Sequence, residues 1–561
     1  MSERQIISDF ESALGNPAAQ VAPSTASPLP ALEMCVDEDG GDSVAWGRCS
    51  DMESDSSGTS SEGDSDSHTV RDPFEETGLS QKLKQWAATF SVPLVAVTAL
   101  LAILRTSHPE LPKDARTLLG TKPTVPLQTV GGGGEYFHFG LAKGILSKLS
   151  TIHLPDSIQT IRVQFNIDGL PVFKSSKLQF WPILSLTDCD YTRTPFVVGI
   201  FCGSGKPSSV SDYLRQFVND LSDLLNSGVT FRGRLLRVAI SSFICDAPAR
   251  AFVKQIKCHN GYSGCDKCHQ TGIWHKKMTY PDTDVRLRSD DEFEKMADED
   301  HYTNTSCDDG LVKMVSAFPI DYMHLCCLGV MRKLINFWMR GKNSTRQPTR
   351  AINAMSEQLV QLRPYIPKEF ARKPRELNEF DRWKASELRQ FMIYSGPLVL
   401  RDTLPNNLYD NFMLFSVAMF LLLTPKISDT MVSFAQRLLM AFVKHFGQLY
   451  GREEIVFSVH QMIHIADEYR QFGSLDNISS FPYENYLGKI KKMLRKPSQP
   501  LQQVVKRLSE EPVCLVPPPP TQPVLSQPHQ EGPLPQDYSS CFLNMCFAWS
   551  GRQLYHVICQ P

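Results

Sequence analysis

The sequence predicts a mixed α/β core that takes in a large all-helical insertion, with a disordered acidic arm before it and a proline-rich tail after it. Three observations carry this prediction. Residues 161–257 follow the order strand, strand, strand, helix, strand, helix, opening on a period-two strand, broad apolar segments at helical spacing fill residues 311–470, and both ends change composition sharply. With 561 residues, 42% of them hydrophobic and 10% aromatic, the chain exceeds one ordinary domain and can bury a sizeable core.

Charge is distributed unevenly along the chain. Residues 1–80 hold 17 Asp and Glu against 3 Lys and Arg, which leaves 55 basic against 43 acidic residues in the remainder. That balance admits a nucleic-acid partner without requiring one. Runs such as SDMESDSSGTSSEGDSDS offer little apolar surface, so residues 1–80 are expected to be disordered and to carry no catalytic group. A solvated arm is the plain reading, and phosphorylation or a basic partner is the alternative. Fifteen cysteines without a regular framework fit a reducing compartment, nucleus or cytosol. The N-terminus lacks a signal-peptide pattern and Val92–Leu104 is too short to span a bilayer, so no membrane segment is expected.

Residues 81–122 carry the short helical stretches KLKQWAATF, VPLVAVTALLAILRTS and DARTLL. They read either as a helix-turn-helix that contacts DNA or as a packing element, the second because basic residues are few. Gly131–Gly134 reads as a flexible link, since no Lys-Ser/Thr or GxGxxG context gives it a phosphate role.

The core strands begin at IRVQFNIDG. Ile161, Val163, Phe165 and Ile167 alternate with polar residues, as in a half-buried strand, and Asp168 is delivered to its carboxyl end before Gly169 turns the chain. LQFWPILSL, TPFVVGIFCG, the helical YLRQFVNDLSDLLNS, RLLRVAISSFICD and the helical RAFVKQIK follow. Strand, strand, strand, helix, strand, helix is the order of a ribonuclease-H-like fold, whose first strand carries a catalytic Asp and whose fourth ends beside it. Asp246, just after VAISSFIC, falls at that second place. Paired carboxylates are hard oxygen ligands suited to two magnesium or manganese ions, which need a third acid to complete the site.

GYSGCDKCH supplies Cys265 and Cys268 as half a zinc site, with Cys258, His259, His269, Cys307 and His324 as candidates for the other half. Residues 311–470 read as apolar helices, from LVKMVSAFPIDYMH to IVFSVHQMIHIADEYRQF. His460 and His464 stand four apart, but HQMIH lacks the Glu of a metalloprotease helix and reads as packed core. YENYLGKIKKMLRK reads as a helix after Pro482, with Glu484 in its first turn and Lys489, Lys491, Lys492, Arg495 and Lys496 along it. A basic helix of this kind suits a DNA backbone, and a nuclear-localisation patch or solvated face is the competing reading.

Over residues 81–510 the chain resembles the DDE transposases of the CACTA (En/Spm) type and their animal relatives. The resemblance rests on FNIDG followed by FWPIL, ICDAPAR followed by GYSGCDKC, FPIDYMHLCCLGVMRKL, and FPYENYLGKIKK, in that order. It implies an acidic triad of Asp168, Asp246 and Glu484 holding two divalent ions. Nothing in the residues alone selects Glu484 among 60 acids. The family's Asp-x-x-His motif matches Asp321 and His324, which implies an organising role, with His324 also a candidate zinc ligand.

The division implied is a core at 155–270, a mainly helical insertion at 271–475, and a completing helix at 476–510. The resemblance further implies double-stranded DNA at transposon ends as partner, a homo-oligomer, and action in the nucleus. Residues 511–561, opening VCLVPPPPTQPVL, depart from the family, whose chains continue with more folded sequence. Two functions are therefore expected: a metal-dependent transposase, or a domesticated or relic descendant that binds DNA or protein without cutting. A zinc-dependent interaction module ranks last, because it leaves three correctly ordered acids as coincidence.

Overall fold

The computed structural model describes residues 78–90, 92–121, 124–131, 133–173, 175–304, 310–367, 370–510, 524–529 and 541–546. The acidic arm up to residue 77, Cys307, and the tail apart from two strands lie outside the described residues. Those strands, Val524–His529 and Cys541–Cys546, pair antiparallel within the stretch read as proline-rich. The described residues fall into two units, the smaller holding those of 78–125 and 505–510.

In the smaller unit, α1 (Leu79–Thr89), α2 (Leu94–Leu104) and α3 (Ala115–Leu119) share one cluster of Ala87, Val97, Leu101, Ala115, Leu118 and Leu119. Asp114 caps α3, its Oδ1 accepting from the Arg116 and Thr117 amides at 2.9 and 3.0 Å.

The larger unit is built on a mixed eight-stranded sheet. It starts earlier than residue 155, with β1 (Gln128–Val130) and β2 (Gly134–His138), so the glycine stretch is a hairpin rather than a free link. Next come α4 (Leu141–Ser150), β3 (Thr160–Ile167), β4 (Leu170–Pro171), β5 (Gln179–Thr187) and β6 (Phe196–Gly203). After α5 (Val210–Ser227) the chain returns through β7 (Val229–Phe231) and β8 (Arg234–Ile244), then α6 (Ala247–Lys254). The strand order is β1-β2-β6-β5-β3-β8-β7, with β4 beside β5. All neighbours on this path run antiparallel except β3 and β8, which are parallel.

One face of the sheet is closed by α4 and α5. Leu141, Ile145 and Leu149 stand at helical spacing on α4 and are fully buried, as are Tyr213 and Leu221 on α5, against Phe165, Ile167 and Phe243. Ser209 caps α5 by accepting from the Asp212 amide at 3.1 Å.

A less regular segment follows α6, with the short pair β9 (Ile273–Trp274) and β10 (Met278–Thr279) and the turn helix α7 (Asp290–Glu294). Residues 311–321 are turns and not the helix the apolar pattern suggests, and Pro319, which lacks a donor and biases Phe318 away from helix, bars a helix from running through to Asp321. The helical region starts with a π-helix at Met323–Met331 and continues as α8 (Arg332–Arg340), α9 (Thr349–Leu362), α10 (Ala385–Gln390) and α11 (Gly396–Leu400). Two long helices, α12 (Asn406–Leu423) and α13 (Asp429–Tyr450), pack face to face, with the Phe415 and Phe442 rings 5.2 Å apart. They are followed by α14 (Phe457–His460), α15 (Ile465–Phe472), α16 (Phe481–Lys492) and α17 (Pro500–Glu510). No helix among the described residues is long and apolar enough to cross a membrane.

Candidate metal centres

Strand β3 is buried on both faces, not one. Its apolar residues enter the core under α5, while Gln164 and Asn166, 8% and 2% exposed, lie under α16. Their amide nitrogens are bonded there, while the buried Asn166 Oδ1 has no partner. Gln164 Nε2 donates to Ser242 Oγ at 2.9 Å and to the Asn477 carbonyl at 3.0 Å, and Asn166 Nδ2 donates to the Ile244 carbonyl at 2.8 Å.

Alternation carries Asp168 to the same side as Gln164 and Asn166. In the parallel register Asn166 stands opposite Ile244, so Asp168 and Asp246, each two residues further on, leave the carboxyl ends of neighbouring strands. Asp246 also caps α6, its Oδ1 accepting from the Ala249 amide at 2.7 Å. Asp168 Oδ1 accepts from the Gly169 amide at 2.6 Å. Residue 169 has no side chain because the Trp181 ring crosses it, 3.0 Å from where a Cβ would sit.

Glu484 arrives from the first turn of α16. That helix is fastened to the sheet by Tyr483 Oη donating to Gln164 Oε1 at 3.0 Å, and to the start of the helical region by the Ser480 amide donating to Asp321 Oδ1 at 3.0 Å. Ligand atoms of Asp168, His324 and Glu484 lie within 4.8 Å of one another. His324 Nε2 is 3.6 Å from Glu484 Oε1, and its Nδ1 is 2.6 Å from Asp321 Oδ2. Buried Asp321 also accepts from the Met323 and His324 amides at 3.1 and 3.2 Å, fixing the turn into the π-helix.

The electrostatics show crowded negative charge. Burial, then the charges of Asp246 and Glu484, raise the Asp168 carboxyl well above its usual range, and burial also raises that of Glu484. Burial works against the His324 imidazolium, but Asp321, Glu484 and Asp168 overcome it and lift its pKa to about 10. These carboxyls and one imidazole can hold a metal ion.

His324 thus sits with the acids and apart from Cys265 and Cys268, which correspond to a second centre. Cys265, Cys268, His460 and His464 are all buried, and their ligand atoms lie within 4.8 Å of one another. The two sulfurs are 3.5 Å apart, Cys268 Sγ is 3.3 Å from His460 Nε2, and Cys265 Sγ is 3.8 Å from His464 Nε2. The histidine pair read as packed core is therefore both packed and facing the cysteines, and its four-residue spacing beside a CxxC was the signal for it. Gly264 lets the cysteine turn close, since a Cβ there would lie 2.5 Å from the Cys258 carbonyl oxygen. Arg288 Nε donates to the Cys265 and Cys268 carbonyls at 3.0 and 2.9 Å, and Gln461 Nε2 donates to Cys265 Sγ at 3.2 Å. Burial disfavours a thiolate at Cys265, yet hydrogen bonds from Cys268 and the two histidines hold its pKa well below the usual thiol value. The remaining candidates are engaged elsewhere: Cys258 Sγ is 3.1 Å from His259 Nδ1, and His269 Nε2 is 3.1 Å from Glu292.

Lys489, Lys491, Lys492, Arg495 and Lys496 are all exposed. Helix α16 ends at Lys492, so Arg495 and Lys496 stand in the following turn, where Gln503 Oε1 accepts from both their amides at 3.0 and 3.1 Å. No protein-family model matches the chain, and no curated protein matches it by sequence.

Proposed function

We propose that the chain is a DDE-type DNA transposase of the CACTA kind, built on a ribonuclease-H-like core, which hydrolyses a phosphodiester at element ends and joins the freed hydroxyl to target DNA. The observation that carries this is that Asp168 and Asp246 follow the ends of adjacent parallel strands, while Glu484 from α16 has a ligand atom within 4.8 Å of those of Asp168 and His324. The order of the central strands supports it: β6, β5 and β3 antiparallel, then β8 parallel to β3.

The acids fit divalent cations. A buried Asp168 carboxyl whose proton affinity is raised by burial and by the charges of Asp246 and Glu484 is a site where a doubly charged ion relieves repulsion, and oxygen ligands favour magnesium or manganese. Two such ions, when bound, activate a water or DNA hydroxyl and stabilise the leaving oxygen. Asp168, Asp246 and Glu484 would hold such ions. Asp321 orients His324, and His324 in turn orients the Glu484 carboxylate. Basic residues of α16 and its following turn hold the DNA backbone in the nucleus, and the active form is a homo-oligomer at paired ends.

The Cys2His2 group fits zinc. Tetrahedral zinc, with bonds of about 2.3 Å to sulfur and about 2.0 Å to nitrogen, spaces two sulfurs by roughly 3.8 Å and sulfur from nitrogen by roughly 3.5 Å. The separations of 3.5, 3.3 and 3.8 Å lie near these edges. With four protein ligands such a centre is structural.

The test is magnesium-dependent nicking of labelled element ends by wild type and by Asp168→Ala, Asp246→Ala and Glu484→Ala. Loss of cutting by orders of magnitude, with salt-sensitive DNA binding retained, supports the proposal. Equal cutting by all four proteins rejects it, and binding without cutting by wild type favours the domesticated reading.

A further inference from the structure

Between the two metal-ligating cysteines lies Asp266, which is 2% exposed. A residue in a CxxC turn ordinarily faces solvent, but this one points inward and pairs with two cations of α6. Its Oδ2 is 3.0 Å from Arg250 Nε and 3.3 Å from Lys254 Nζ. Arg250 and Lys254, 3% and 0% exposed, stand four residues apart on one helix stripe, and Asp246 stands four residues before Arg250 at the cap of the same helix. One end of this stripe meets the cysteine turn, and the other carries the Asp246 charge that bears on Asp168 and Glu484.

A second branch leaves the same guanidinium. Arg250 Nη1 donates to the Pro319 carbonyl at 3.1 Å, two residues before Asp321, whose carboxylate fixes both His324 and the start of α16. Asp266 is tied in turn to the histidine side of the Cys2His2 group, because Gln461 Nε2 reaches Cys265 Sγ at 3.2 Å and Asp266 Oδ1 at 3.5 Å. Buried ions of opposite sign cannot separate without leaving an uncompensated charge, so this cluster transmits displacement instead of absorbing it.

We propose that Asp266 is a positioning residue that couples occupancy of the Cys2His2 centre to the geometry of the acidic centre, acting through Arg250 on α6 and on the Pro319–Asp321 segment. The link to metal binding at the acids rests on the reading given above. The link to α6 rests on the ion pairs alone.

Full-length protein is compared loaded with zinc, stripped of zinc by a chelator, and as zinc-loaded Asp266→Asn and Arg250→Gln. Arg250→Gln keeps the Lys254–Asp266 pair and so guards against collapse of the first variant. Hydrogen exchange is followed at Ala249–Lys254, where the Ala249 amide donates to Asp246 Oδ1. Zinc removal and both variants are expected to speed exchange there by about tenfold or more, while Thr160–Ile167 stays protected. Zinc content of the variants is expected to be unchanged, and manganese affinity at the acids to fall about 10–100-fold, as for other outer-shell partners. Unchanged exchange in α6 overturns the coupling, and so does an equal loss of protection throughout the sheet, which would make zinc a general prop. If wild type binds no manganese that Asp168→Asn abolishes, the metal reading of the acids falls, and exchange in α6 still decides the coupling.

Discussion

The Tyr483 hydroxyl donates to Gln164 Oε1 at 3.0 Å, joining the helix that carries Glu484 to the strand that carries Asp168. The two residues are far apart in sequence and both are buried, so the bond fixes a long-range geometry in a place water does not reach. Replacing Tyr483 with Phe leaves the amide oxygen without its donor. The expected cost is about 1–3 kcal/mol, read as a lower urea midpoint at unchanged slope. A midpoint equal to wild type would mean that the bond holds nothing in place.

Crowding of the acids predicts a stability cost that varies with pH. Burial and its acidic neighbours raise the Asp168 carboxyl above its ordinary value of 3.8, so in chelator the unfolded chain ionises more readily than the folded one. Stability then falls as pH rises from about 4 through the folded-state value. Asp168→Asn should be more stable than wild type at neutral pH in chelator, with the advantage vanishing below about pH 4. Saturating magnesium or manganese should reverse the ranking, and unfolding curves across pH with and without cation check both halves.

His324 gives the opposite sign. Its pKa rises from 6.5 to about 10 despite burial, through the bond to Asp321 and the nearby charges of Asp321, Glu484 and Asp168. In chelator its contribution is complete below about pH 6.5 and disappears as pH climbs toward 10. The stability difference between wild type and His324→Gln should shrink over that window. A difference that stays constant from pH 6 to 10 would show that the ring is neutral throughout.

The Cys2His2 group predicts one zinc per chain, lost equally on replacing Cys265 or His460. His324→Ala should keep its zinc, because that ring belongs with the acids. Elemental analysis of the purified proteins decides this, and zinc retained by His460→Ala would dismiss the four-ligand site. Zinc loss should also lower the melting temperature, since a structural metal contributes directly to folding.

Much of the architecture was legible because it is written in local patterns. Period-two alternation locates β3, apolar runs locate β5, β6 and β8, and the apolar spacing locates α12 and α13 within a few residues. The early hairpin escaped notice because β1 is three residues long and its turn is glycine-rich, which reads the same as a linker. Glu484 is reached only through the family resemblance, since Asp168, which stands with it, is hundreds of residues away.

The sequence by itself determined the central strands and long helices, their order, and the two carboxylates that follow β3 and β8, because such patterns are set by near neighbours. Only the tertiary structure decided which donors share a centre. His324 carries the same imidazole as His460, and local spacing gives no means of telling them apart. The Asp321 turn delivers one ring to Asp168 and Glu484, while α14 carries the other to the buried cysteine pair. Partner choice among distant polar groups depends on how whole elements pack, and it is written in no single stretch of the chain.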